Sequence, residues 1–241
     1  YNGAKKLNID IGISREGLSD LIQKTLDANN MKSGVHIRVI ITRGLKKTPY
    51  QHPNANTGRS SIVIIPEFKI PDGKINIEGI RLITVKTRRG TPDSQDPRLN
   101  SLSKQNCISA CIEADQAGVD EGIMLDINRN VSTCNSTNFF IVRKEEVWTS
   151  TGQYCLPGIT RRGVIDICQS NDIPIFMKDF PIMDVHSADE AFVTGTFAGI
   201  IPVIEIDGRE MSKGKRGDMT LHLQGLYKGE LAQLYPEKIR K

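Results

Sequence analysis

The sequence predicts an α+β chain with a small front part and a larger rear part. Three observations predict it. Strand-like runs rich in β-branched residues, such as Val35–Thr42 and Ser60–Ile65, occur beside stretches whose apolar residues recur at helical spacing. A segment rich in proline, glycine and charge, Pro66 to Gly79, lies between two groups of such elements. The 241 residues, 38% hydrophobic and 25% charged, suffice for one large core or two small ones.

The elements follow in order. The chain starts at Tyr1, without an initiator Met, in a polar, helix-like stretch, and a preceding front segment is expected to be missing. Ser14 is an N-cap for a helix carrying Leu18, Leu21, Ile22, Thr25 and Leu26, which Asn29–Asn30 ends. Val35–Thr42 is a strand broken by Arg43–Gly44, and Ser60–Ile65 is a second. The domains are drawn as 1–70, a linker at 71–79, and 80–241. Ile80–Thr87 is a strand, and Asp96–Pro97 ends a polar loop. A helix from about Ser103 to Ala117 is closed by Gly118. Gly122–Asp126 with Asn130–Ser132, and Asn138–Val142 with Val147–Ser150, form hairpins. A helix runs from Gly158 to about Ser170. Strands follow at Ile173–Lys178, Ala191–Thr194 and Pro202–Ile206, with a hairpin turn at Asp207–Gly208. Gly217 to Leu234 is the last helix.

Composition narrows the function. The formal charge is +4, and most Lys and Arg residues are spread as a solvated surface would have them, which argues against a nucleic-acid partner. No apolar run approaches the roughly 18 residues of a membrane span, and no signal-peptide pattern is present. The five cysteines are odd in number and lack zinc-site spacing, so no metal site is expected. Cys107 and Cys111 share a helix face and read as small buried apolar residues. Reduced cysteines suit a cytoplasmic protein.

Two segments have the chemistry of phosphate sites. Leu156–Pro157–Gly158–Ile159–Thr160–Arg161 turns into a helix whose first amides are free to bind an anion. Thr194–Gly195–Thr196–Phe197–Ala198–Gly199 follows a strand, and its small residues let a ligand approach the backbone. Taken singly, each is first an ordinary capped helix or turn. They gain meaning if the fold brings them together.

These segments, taken in order with Asp120–Glu121–Gly122–Ile123, Val131–Ser132 through Asn138–Phe139–Phe140, Ile201–Pro202–Val203 and Asp207–Gly208, resemble the fold-type IV aminotransferases. That family includes branched-chain and D-amino-acid aminotransferases. The resemblance covers essentially the whole chain. It implies a two-domain, D-amino-acid-aminotransferase-like fold with pyridoxal 5'-phosphate (PLP) as cofactor, an amino acid and a 2-oxo acid as substrates, and a homodimer. It implies that Ile159, Thr160 and Thr196 hold the cofactor phosphate and that Asn100, Asn138 and Gly195 lie in the cofactor site. An assisting arginine would lie just before Tyr1 in the family's layout.

The sequence departs from the family at the reactive centre. The usual stretch D-P-x-x-K-S-x-N-Y-x-N reads here Asp96–Pro97–Arg98–Leu99–Asn100–Ser101–Leu102–Ser103–Lys104–Gln105–Asn106. The Schiff-base lysine position is thus Asn100, and Lys104 stands where the family has a tyrosine at the cofactor ring. If helix has begun, Lys104 shares a face with Asn100, so the catalytic lysine is expected to have moved to Lys104. The alternative is a surface or phosphate-pairing lysine in a silent site. The family's glutamate at the pyridine nitrogen is Thr133, a weaker electron-sink partner that leaves a lyase or racemase reaction open. Arg38 and Arg43, with Phe197 and Ala198, are candidates for substrate contact. His36 and His52 flank the small domain, and His186 and His222 show no partner spacing for a metal.

Overall fold

The computed structural model describes residues 1–236. The chain divides into two compact units, Tyr1–Ile70 and Pro71–Lys241.

The front unit holds α1 (Asn2–Lys6), α2 (Arg15–Ala28), β1 (Val35–Thr42) and β2 (Ser61–Phe68). Ser14 caps α2, its Oγ accepting from the Gly17 amide at 3.1 Å. The strands pair antiparallel from Val35↔Phe68 to Thr42↔Ser61. β2 therefore runs past Ile65 and through Pro66. In a two-stranded sheet each strand keeps a free edge, where a residue without an N–H is tolerated.

The rear unit contains α3 (Ile75–Glu78), β3 (Ile80–Thr84), α4 (Gln105–Gln116), β4 (Glu121–Leu125), β5 (Val131–Cys134), β6 (Asn138–Arg143), β7 (Glu146–Thr149), α5 (Ile159–Ser170), β8 (Ile175–Met177), α6 (Ile182–His186), β9 (Glu190–Gly195), β10 (Gly199–Ile206), β11 (Arg209–Glu210) and α7 (Asp218–Leu234). Its nine-stranded sheet runs β5-β4-β3-β10-β9-β6-β7-β8, with β11 beside β10. After β8 the chain returns to β5: the Val131 amide donates to the Phe180 carbonyl at 2.9 Å, and Asn130 bridges Pro181. The two ends of the sheet are thereby drawn together, and the sheet curls around an inner core.

Period-two alternation fills both faces. Leu82, Ile123, Phe139, Ile141, Val193 and Val203 point into the inner core. Phe140, Val142 and Phe192 point outward against Val164, Ile165 and Cys168 of α5 and Leu223 of α7. Phe140 and Phe192 stack with centroids 4.8 Å apart. Each such buried side chain contributes roughly 1.5–3 kcal/mol by area. Burial on both faces explains why these strands read as continuous apolar runs. On a third surface α4 packs Ala110 against Met124 and Val85. Gly122 permits that approach, since a Cβ there would lie 2.5 Å from Val85.

Several boundaries differ from the sequence reading. Residues 71–79, read as a linker, carry α3 and are tied into the rear unit. Asn76 Nδ2 donates to the Ala198 and Ile200 carbonyls at 2.7 and 2.8 Å. β3 ends at Thr84; the Val85 amide still donates to the Ile123 carbonyl at 3.0 Å, but beyond it the Lys86 and Thr87 amides turn to the Glu113 carboxylate at 2.7 and 3.0 Å. Helix α4 starts at Gln105, two residues later than expected, and α6 was not anticipated. Cys107 is buried as expected but Cys111 is exposed. The inward edge of α4 runs through Cys107, Ala110 and Ala114, leaving Cys111 off that line.

The entry to α7 depends on a carboxylate from the sheet. Glu190 accepts from the Met219 and Thr220 amides, each at 2.9 Å, and from Thr220 Oγ1 at 2.7 Å. Gly217 leaves room for it, because a Cβ there would lie 2.0 Å from Glu190 Cδ. Glu190→Ala is expected to cost about 1–2 kcal/mol, the scale of a lost helix cap, measured by urea unfolding with an unchanged slope. An unaltered midpoint would contradict this role.

Candidate functional site

The first amides of α5 have no acceptor within the helix. Its cap is Gly158, which offers no side chain. Thr160 follows, 2% exposed, and its Oγ1 finds no hydrogen-bond partner among the described residues. Thr160 is the second residue of α5, so no helical carbonyl lies one turn before it for its hydroxyl to meet. The Leu156 carbonyl, outside the helix, accepts from the Gly158 amide at 2.8 Å and Asn138 Nδ2 at 3.0 Å.

Asn138 joins the two loops singled out from the sequence. Its side chain holds Leu156, and its Oδ1 would lie 2.2 Å from a Cβ on Gly158, so only glycine fits. Across the sheet Asn138 is the direct partner of Thr194 in β9. Beyond Thr194 the chain turns through Thr196, Phe197 and Ala198, closing with Gly195 opposite Gly199, whose φ is +72°. The Tyr227 ring of α7 lies against both Gly163 of α5 and Gly199, within 3.4 Å of where their Cβ atoms would be. Ile159, Thr196 and Phe197 are all exposed.

The second feature is a cleft of ≈ 380 Å³ lined by Thr87, Arg89, Ser101, Lys104, Asn106 and Cys107, among others. Lys104 is half-buried and occupies the N-cap position of α4. The expected shared helical face with Asn100 does not form, because residues 101–104 precede the helix. Asn100 is exposed. Arg89, buried, donates through Nε to the Tyr154 carbonyl at 3.0 Å and through Nη1 to Cys107 Sγ at 2.8 Å. The Tyr154 carbonyl also accepts from Ser132 Oγ at 3.0 Å. Ser150 Oγ donates to the Ser132 carbonyl at 2.7 Å, and Arg161 Nη2 donates to the Ser150 carbonyl at 2.6 Å. A continuous polar path therefore links the wall of the Lys104 cleft to the first turn of α5. Burial pulls the Arg161 guanidinium below its ordinary value. Sequence reasoning missed Arg89, Ser132, Ser150 and Tyr154. Their bonds join residues 11 to 65 positions apart and leave no local pattern.

Thr133 is buried, and its Oγ1 donates to the Thr137 carbonyl at 2.7 Å. Its proton is thus committed and its lone pairs remain free to accept. The same turn is held by Glu121, which accepts from Ser136 Oγ and from Thr137 Oγ1, the latter at 2.7 Å. Burial pushes the Glu121 carboxyl up, only partly opposed by these hydroxyls and amides. Burial also pushes the neighbouring Cys134 thiol up, and the Glu121 charge adds to it.

In the front unit Arg38 is exposed. Arg43 is engaged with the backbone, donating to the Leu7 carbonyl and to the Asn8 carbonyl, the latter at 3.0 Å. His186 Nε2 lies 2.8 Å from Asp207 Oδ2, a pairing that spacing along the chain did not disclose. No group of side chains suited to a metal occurs among the described residues. No helix there is long and apolar enough to cross a membrane.

This fold and these segments define the class. Residues 1–206 match the family model for amino-transferase class IV, and the chain belongs to that family. It is 37% identical over 227 residues to branched-chain-amino-acid aminotransferase-like protein 2 of Arabidopsis thaliana, covering 94% of this chain and 40% of that protein. It is 34% identical to a putative branched-chain-amino-acid aminotransferase of Methanocaldococcus jannaschii, covering 95% of this chain and 78% of the other. A crystal structure of the T.th. branched-chain amino acid aminotransferase, complexed with N-(5'-phosphopyridoxyl)-L-glutamate, superposes with a TM-score of 0.88 at 28% identity. That match spans 99% of this chain and 78% of the solved one.

The raised Glu121 carboxyl sets a pH dependence. A group whose folded pKa is raised adds stability that is fully present at acid pH and is lost as pH rises through the raised value. Relative to Glu121→Gln, the wild type is expected to lose stability between the ordinary carboxylate range and neutrality. Urea midpoints of both proteins at pH 4 and pH 7 check this, and a drift in the opposite sense would refute the burial argument.

Proposed function

We propose that this chain binds PLP and transfers an amino group between an amino acid and a 2-oxo acid, with branched-chain substrates as the first class to test. One observation carries the reading: the buried Thr160 hydroxyl stands without an acceptor among the described residues, beside the open amides of α5. A buried hydroxyl without a partner is costly, and a phosphate oxygen would satisfy it together with those amides. The residues present therefore suit the cofactor's phosphate. The chain spans about two fifths of the length of the two Arabidopsis relatives, and the activity is read from the site and the family together.

Ile159, Thr160, Gly195 and Thr196 would hold the phosphate, and Asn138 would keep their two loops in register. Bound PLP supplies a reactive aldehyde and an electron-withdrawing ring. Thr133 would meet the pyridine nitrogen and, its proton being committed to Thr137, would accept from it. Lys104 would carry the proton at its Nζ, from the cleft lining it shares with Arg89. Asn100, at the family's lysine position, has no chemistry for covalent attachment. Of the two arginines considered for a substrate carboxylate, Arg43 is committed to carbonyls and Arg38 is exposed. Phe197 and Ala198, on the β9–β10 turn, would border the substrate. The proposed assembly is a cytoplasmic homodimer, in keeping with the family's layout and with five free cysteines.

A second reading, a PLP-dependent lyase or racemase, is favoured by Thr133 alone, since a hydroxyl does not hold the ring nitrogen's proton as a carboxylate does. The test is to incubate the protein with PLP, trap any covalent attachment with borohydride and locate it by peptide mass spectrometry. The expected label is on Lys104 and absent from Lys104→Ala. Amino transfer from branched-chain amino acids then separates the two enzyme readings. Binding without any label would instead identify a silent PLP-binding fold.

A further inference from the structure

We propose that Thr194 supplies a further hydroxyl to the phosphate site, an inference that rests on the PLP reading above. Thr194 is 1% exposed, and its Oγ1 has no hydrogen-bond partner among the described residues. Its direction follows from the sheet. Ala191 and Val193 of β9 point into the inner core, while Phe192 points to the α5 and α7 side. Alternation puts Thr194 on the α5 side as well. Its cross-strand partner is Asn138, whose amide group holds Leu156 and crowds Gly158 at the start of α5. Directly paired residues have Cβ atoms about 4.5–5.5 Å apart. The orphaned hydroxyl therefore sits next to the side chain that touches the helix cap. The other fully buried orphan hydroxyl, Thr160, belongs to the first turn of that same helix.

Residue choice points the same way. On a strand buried on both faces valine fits the space of threonine and leaves no polar atom unmet. Two hydroxyls near one helix N-terminus, each lacking an acceptor among the described residues, are what a tetrahedral oxyanion would satisfy. Gly195, next along the strand, keeps the backbone open, since a Cβ there would meet nothing closer than Thr137 Cγ2 at 3.6 Å.

The test measures dissociation constants for PLP and for pyridoxal, which lacks the phosphate, by fluorescence quenching of the full-length protein, in wild type, Thr194→Val and Thr160→Val. Melting midpoints without ligand are recorded alongside. Thr194→Val is expected to weaken PLP about tenfold, to leave pyridoxal within about twofold, and to keep or raise the ligand-free melting midpoint. If Thr194→Val binds PLP like the wild type while Thr160→Val does not, the proposal fails and the phosphate site stands. Equal losses for PLP and pyridoxal would mark a packing defect and also overturn it. A wild type that binds PLP no tighter than pyridoxal would remove the phosphate site itself. Should Thr194→Val fail to fold, Thr194→Ser is expected to keep the preference for PLP over pyridoxal and Thr194→Ala to lose it.

Discussion

The antiparallel pair β6–β9 is buried on both faces, and the rest of the rear unit is arranged around that constraint. Phe139 and Ile141 fill the inside of the curled sheet, while Phe140 and Phe192 fill the outside against α5 and α7. A strand sealed on both sides has no place for a ligand along its middle. Chemistry is pushed to its ends, where the apolar alternation gives way to Asn138, Thr194 and Gly195. The change from Phe192 to Thr194 on one face marks the edge of the apolar core.

Polar splints fix that boundary. Asn138 ties the strand end to the loop before α5, and Glu121 ties down the turn between β5 and β6. Glu113 anchors α4 to the segment after β3, and Glu190 anchors α7. In each case a side chain from one element satisfies backbone or side-chain groups of another. Arg89 and Arg161 extend the pattern, joining the Lys104 cleft to α5 through carbonyls of Tyr154 and Ser150. The proposed phosphate site is thus held by many cross-element bonds, and Lys104 and Thr133, proposed to act on the cofactor, stand at the edges of the same polar framework.

Much of the fold was legible because its signals are local. An alternating, β-branched run gave β1, short apolar runs gave β6 and β9, the Asp207–Gly208 pair gave a turn with φ of +53° and +74°, and Ser14 gave the start of α2. The errors were also local. α6 is short, the strand β2 crosses a proline, and α3 sits inside a stretch that looked like linker. For the proposed site, the sequence pointed to the segments before α5 and after β9 and named Gly195 and Thr196, while Thr194 gave no reason to be singled out. A threonine in a strand carries no signal until the absence of an acceptor is known.

By itself the sequence determined which residues are apolar, where turns must fall, and the order of segments that marks the family. Those properties depend on spacing along the chain. Only the tertiary structure decided that Asn138 joins the two loops, that Arg43 is committed to the Leu7 and Asn8 carbonyls, that Arg89 reaches the Tyr154 carbonyl, and that His186 meets Asp207. Each of these is a contact across strands or between elements distant in sequence. Hydrogen bonds act over about 3 Å whatever the number of residues between the partners, so no local pattern records them.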